Sequence, residues 1–65
     1  MKSLIFKQTE ILACQIYMDG KPFACLRCDY IKFDDETGNV DIIVNGISTA
    51  TFYYISGVCL NKVID

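Results

Sequence analysis

Short runs of alternating apolar and polar residues recur along the chain, and glycine-bearing turn signals separate them. Leu12, Cys14, Ile16 and Met18 alternate ahead of Asp19-Gly20, and Val40, Ile42 and Val44 do so ahead of Asn45-Gly46. Val58, Leu60 and Ile64 follow Ser56-Gly57, while Thr37-Gly38-Asn39 closes a polar stretch. A period of two sends successive side chains to opposite sides of a strand, so each run predicts a strand with one buried face. The runs are rich in Ile, Val, Tyr, Phe and Thr, which suit a pleated, half-buried surface. Residues 10–18 also contain helix formers, with Thr9 as an N-cap and Gly20 as a stop. Alternation directly ahead of a hairpin signal favours the strand there.

Asn45-Gly46 is the strongest local signal, because a two-residue type I′ turn needs positive φ at both positions. A regular hairpin places Val44 opposite Ile47, Ile42 opposite Thr49 and Val40 opposite Thr51. Its other face then carries Asp41, Ile43, Ser48, Ala50, Phe52 and Tyr54. Asp19-Gly20 predicts a second hairpin, with Met18 opposite Lys21, Ile16 opposite Phe23 and Cys14 opposite Cys25. In that register Pro22 faces Tyr17 in a non-hydrogen-bonded pair, and its missing N–H points to an open sheet edge. Residues 23–33 do not make one strand with one buried face, since Arg27 and Asp29 share a parity with Phe23, Cys25, Ile31 and Phe33. A bulge or bend near residues 27–29 resolves the conflict. Residues 34–39 form a polar connection into Val40.

Five or six short antiparallel strands predict an all-β or mainly β domain over residues 1–65. The expected form is a small bent sheet or partly open barrel of SH3-like or OB-like size. Sixty-five residues leave room for one core only. With 52% hydrophobic residues the chain carries more apolar side chains than such a core hides, which predicts self-association, as a homodimer in the first instance. The longest apolar stretches are too short to span a bilayer, so no membrane partner is expected. The run from Leu4 to Phe6 stops at Lys7 without a cleavage-site pattern, which reads as a cytoplasmic chain. Frequent Ile, Lys, Asn and Tyr against a single Arg is the usage of an AT-rich genome, such as a low-GC bacterium or its phage, and suits an accessory or inhibitory factor.

Eight acidic and six basic residues give a formal charge of −2, and the bases are scattered. Phosphate neutralisation drives much of nucleic-acid affinity, so this balance disfavours nucleic acid as partner. A small-barrel nucleic-acid binder, with tyrosines stacking on bases, is the alternative. Cys25-Leu26-Arg27-Cys28 has the CxxC spacing of zinc and thiol redox sites, which makes a zinc or redox module the second alternative. Cys14 and Cys59 supply no second pair, histidine is absent, and no helix follows to activate a thiol. The cysteines therefore read as small buried hydrophobes, with no cofactor and no metal. Asp34, Asp35 and Glu36 lack the spaced ligands of a calcium loop and read as a solvated turn.

There is no histidine, Ser3, Ser48 and Ser56 have no evident base, and no glycine-rich phosphate loop occurs, so no catalytic residue is assigned and no enzyme is expected. Adjacent Tyr53 and Tyr54 must face opposite sides of a strand, as must Ile42 and Ile43, and outward aromatic and aliphatic side chains are interface material. The outward set in the expected registers, Tyr17, Ile43, Phe52 and Tyr54, is the candidate interface of a non-catalytic module that binds itself and a protein partner.

Overall fold

Seven strands and no helix make up residues 2–9 and 11–63, the part of the chain that the computed structural model describes. In order they are β1 (Lys2–Gln8), β2 (Ala13–Met18), β3 (Lys21–Arg27), β4 (Tyr30–Phe33), β5 (Val40–Val44), β6 (Ile47–Phe52) and β7 (Val58–Val63). They form two sheets, where five or six antiparallel strands in one small bent sheet or partly open barrel are expected from the sequence. One sheet has the order β3-β2-β1-β7 and the other β4-β5-β6. All neighbours are antiparallel except β1 and β7, which run parallel with Leu4 beside Leu60. Ile64, expected in the last strand, lies outside the described residues.

Both hairpins begin in the expected register and then slip by one residue. Asn45 and Gly46 have φ of 54° and 76°, as the type I′ turn requires, and Val44 faces Ile47. Beyond the turn Thr49 is bulged out, so Ile42 faces Ala50 and Val40 faces Phe52 instead of the two threonines. In the β2–β3 hairpin Met18 faces Lys21 and Tyr17 faces Pro22, with Pro22 on a strand that ends its sheet. Phe23 is bulged out there, which puts Ala24 opposite Ile16 and Leu26 opposite Cys14. Cys25 lies opposite Gln15 and so on the other face from Cys14. Each bulge has a packing cause: it turns Ala50 and Phe52, or Ala24 and Leu26, onto the face that meets the other sheet, while Phe23 is left exposed.

The core lies between the two sheets. Phe6, Ile16, Cys14 and Leu60 from the four-stranded sheet meet Ile31, Val40 and Ile42 from the three-stranded one, with Cys28 in the connection. Phe6 and Phe52 stack edge to face across the sheets with ring centroids 5.0 Å apart. The expected break near residues 27–29 is the passage between sheets. Cys28 N–H donates to Leu12 O on one side and Asp29 N–H to Ile43 O on the other, at 2.9 and 2.8 Å. Gln8 braces the same passage, its Nε2 donating to Cys28 O at 2.8 Å.

Candidate functional site

The four-stranded sheet and the three-stranded sheet part at one end, leaving a groove of about 310 Å³. Its walls follow from strand register. Leu4 lies beside Met18 on one neighbour and beside Leu60 on the other, so one row of side chains crosses three strands on the inner face. Val58, two residues before Leu60, extends that wall, and Phe52 closes the opposite side. Lys2 stands at the rim and Thr51 on the far side, and no carboxylate or thiol lines the groove. The volume is near the lower limit of small-molecule sites, and the walls are apolar.

Residues 53–55 leave β6 and pass along the lip of this groove as an apolar strap. Tyr53 is 67% exposed and Ile55 63%, and both line the groove; Tyr54 between them is 56% exposed. The strap is tied in place at its middle and at its far end. Tyr54 N–H donates to Asn39 Oδ1 at 2.8 Å, and Val58 N–H donates to Ile55 O at 2.9 Å. Gly38, at φ 77°, lies so close beneath Tyr54 that a Cβ there would stand 3.3 Å from the Tyr54 Cβ. The 34–39 turn is therefore the seat of the strap as well as a connection. Asp34 organises it, with Oδ1 accepting from the N–H groups of Glu36 and Thr37 at 2.9 and 3.2 Å. Those two bonds hold the Asp34 carboxyl below its ordinary value.

The four residues expected at an interface are dispersed. Tyr54 is exposed on the strap. Phe52 belongs to the groove but faces inward, because the bulge at Thr49 reverses its parity and sets it against Phe6. Ile43 is not an outward residue: the passage through Cys28 and Asp29 crosses beside it and leaves it 5% exposed. Tyr17 is half-buried on the outer face of the four-stranded sheet, between Ile5 and Pro22, on the side away from the groove. Leu4, Met18, Val58, Tyr53 and Ile55 were not among the expected interface residues. A legible signal existed only for the last two, as part of an unbroken apolar triplet between a strand and the Ser56-Gly57 turn.

The cysteines divide into two classes, where all four were expected inside. Cys14 and Cys28 are fully buried in the core; Cys25 and Cys59 are exposed. Burial, with the Cys28 thiol nearby, pushes the Cys14 thiol up to about 11, and burial also raises Cys28. Both are held in the neutral, unreactive form. Cys25 and Cys28, the CxxC pair, thus lie on opposite sides of the sheet surface. Among the described residues no three or more Cys, Asp or Glu side chains gather as a metal site. No helix among them is long and apolar enough to cross a membrane.

Compared with known proteins, the chain matches no family model, no curated sequence and no solved structure.

Proposed function

We propose that this chain is a non-catalytic protein-interaction module that self-associates and acts by covering a protein surface. The observation that carries this is the distribution of apolar side chains. Among the described residues, the buried hydrophobic set runs from Phe6 to Leu60, yet Ile11, Leu12, Phe23, Tyr30, Phe33, Ile47, Tyr53, Tyr54 and Ile55 are all left exposed. Scattered exposed apolar residues are ordinary, but three in succession beside an apolar groove are not. The groove favours binding over chemistry. Its polar side chains are Lys2, Thr51 and the Tyr53 hydroxyl, with no carboxylate, imidazole or thiol among them.

Single-stranded nucleic acid is the competing partner, since exposed tyrosines also stack on bases. Stacking sites on nucleic-acid binders are lined by cations that follow the phosphate backbone, and the groove offers one, Lys2. The protein reading is therefore preferred. Native mass spectrometry of the untagged, reduced chain tests it. Dimers of the unmodified mass are expected. A monomer that binds oligonucleotides with a steep salt dependence replaces this reading with the nucleic-acid one, and a stoichiometric zinc adduct replaces it with a metal module.

A further inference from the structure

We infer that Asn45 is a site of spontaneous deamidation, in which the Gly46 amide nitrogen attacks the Asn45 side chain, and that the Asp29 carboxylate is the brake on this reaction. The inference is independent of what the chain binds. The step balances with water as its only co-reactant. The Gly46 nitrogen loses its proton and bonds to Asn45 Cγ, the side-chain amide leaves as ammonia, and a five-membered succinimide remains. Water then opens that ring at either carbonyl, giving an aspartate or an isoaspartate at position 45. In the isoaspartate the former side-chain methylene has become part of the main chain.

Ring closure needs an unhindered nitrogen within reach of a free amide, and its advantage is that both reactants belong to one short segment. Asn45 and Gly46 are exposed at the tip of the β5–β6 hairpin, and beyond its chain neighbours Gly46 has no atom within 4 Å of where a Cβ would stand. Glycine adds no side chain of its own to obstruct the approach. Among the described residues, neither the Asn45 side-chain amide nor the Gly46 N–H has a hydrogen-bond partner. The chain's other two asparagines are placed differently. Asn39 Oδ1 accepts the Tyr54 N–H at 2.8 Å, and the next residue is the buried, β-branched Val40. Asn61 lies within β7, beside Ile5 in the parallel ladder, and precedes Lys62. Asp19 also precedes a glycine, but a carboxylate is a poor electrophile, and its Oδ1 is held by the Ser3 N–H at 2.9 Å.

The fold sets the rate. Asn45 and Gly46 are held at φ of 54° and 76°, and ring closure has to rotate the peptide between them out of this turn. Asp29 resists that rotation. Its Oδ2 accepts the Asn45 N–H at 2.8 Å, and its own N–H donates to Ile43 O at 2.8 Å, so the passage between the sheets is pinned to the hairpin. The carboxylate also disfavours the negative charge that develops on the nearby Gly46 nitrogen. Deamidation removes this arrangement. A new carboxylate at position 45 stands beside Asp29, where like charges repel, and the ion pair of Asp29 with Arg27, at 3.9 Å, is too long and exposed to offset it. The isoaspartate also lengthens the main chain of a turn built for two residues. The result is a one-way loosening of the three-stranded sheet where it joins its partner.

Incubation of the folded chain at mildly alkaline pH, followed by peptide mapping with mass spectrometry, tests the site. A gain of about one dalton is expected at Asn45, as two separable product peptides, while Asn39 and Asn61 keep their amides. The rate is expected to be about tenfold or more higher in the urea-denatured chain, and about fivefold higher in Asp29→Asn, whose circular dichroism stays native. Deamidated protein should have a lower urea midpoint, and Asn45→Asp, which adds the charge without the extra main-chain atom, should show a smaller drop. Retention of the Asn45 amide over several weeks, or equal conversion at Asn39 and Asn61, overturns the site. A rate unchanged by denaturation or by Asp29→Asn overturns the brake.

Discussion

Two glycines with almost the same backbone angle have different tasks. Gly46, at φ 76°, has nothing within 4 Å of where a Cβ would stand, so a side chain there meets only conformational strain. Gly46→Val is expected to destabilise the fold by about 1–3 kcal/mol, read as a lower urea midpoint, because a β-branched residue tolerates positive φ badly. An unchanged midpoint would contradict the type I′ turn. Gly38 shares the strain and also carries Tyr54, so Gly38→Ala should displace the strap as well as lower stability. The thiols separate in the same local way. Iodoacetamide at pH 8 should label Cys25 and Cys59 on the folded chain, and all four only after denaturation; four adducts on native protein would contradict the burial of Cys14 and Cys28. The Cys14 thiol is raised by burial above its ordinary 9.0, so its contribution to stability is complete below about pH 9 and is lost as the pH rises through about 11.

At the scale of elements, the 34–39 turn couples a carboxylate to the strap. Asp34 is lowered from its ordinary 3.8 by the N–H groups of Glu36 and Thr37, so its contribution is present above that pH and is lost as the pH falls through the lower folded value. Asp34→Ala should flatten the acid limb of a stability-against-pH curve, and an identical limb in both proteins would contradict the turn. The turns and most strands were legible because they rest on local chemistry: Asn45-Gly46, Asp19-Gly20 and the polarity of residues 34–39 act over a few residues. The registers beyond the turns were not legible. Nothing near Phe23 or Thr49 marks a bulge, since each exists to bring Ala24 or Phe52 over a sheet that is distant in sequence. One bulge reverses the face of every later residue, which is why regular registers put Phe52 outside and Cys14 opposite Cys25. The parallel pairing of β1 with β7 joins the two ends of the chain and has no local signature either. Of the site, the exposed triplet at 53–55 was visible, whereas the groove arises only when rows from β1, β2 and β7 meet β6.

Over the whole molecule, a core held between two small sheets leaves little reserve. At the usual per-residue stability, 65 residues amount to about 3–10 kcal/mol in total. Phe6 is fully buried on the central strand of the larger sheet and stacks on Phe52 of the smaller one, so Phe6→Ala should cost about 3–5 kcal/mol and leave the chain largely unfolded by circular dichroism. A cooperative melt close to wild type would show that the sheets do not depend on that contact. Such a small core also explains why apolar surface remains outside: two layers this narrow have one shared interior, and residues 53–55 lie beyond its edge. Sedimentation equilibrium of untagged, reduced chain over a wide concentration range shows whether a second copy covers that surface. The expected result is a monomer–dimer equilibrium whose dimer fraction rises with concentration; a single monomeric species throughout the range would contradict it.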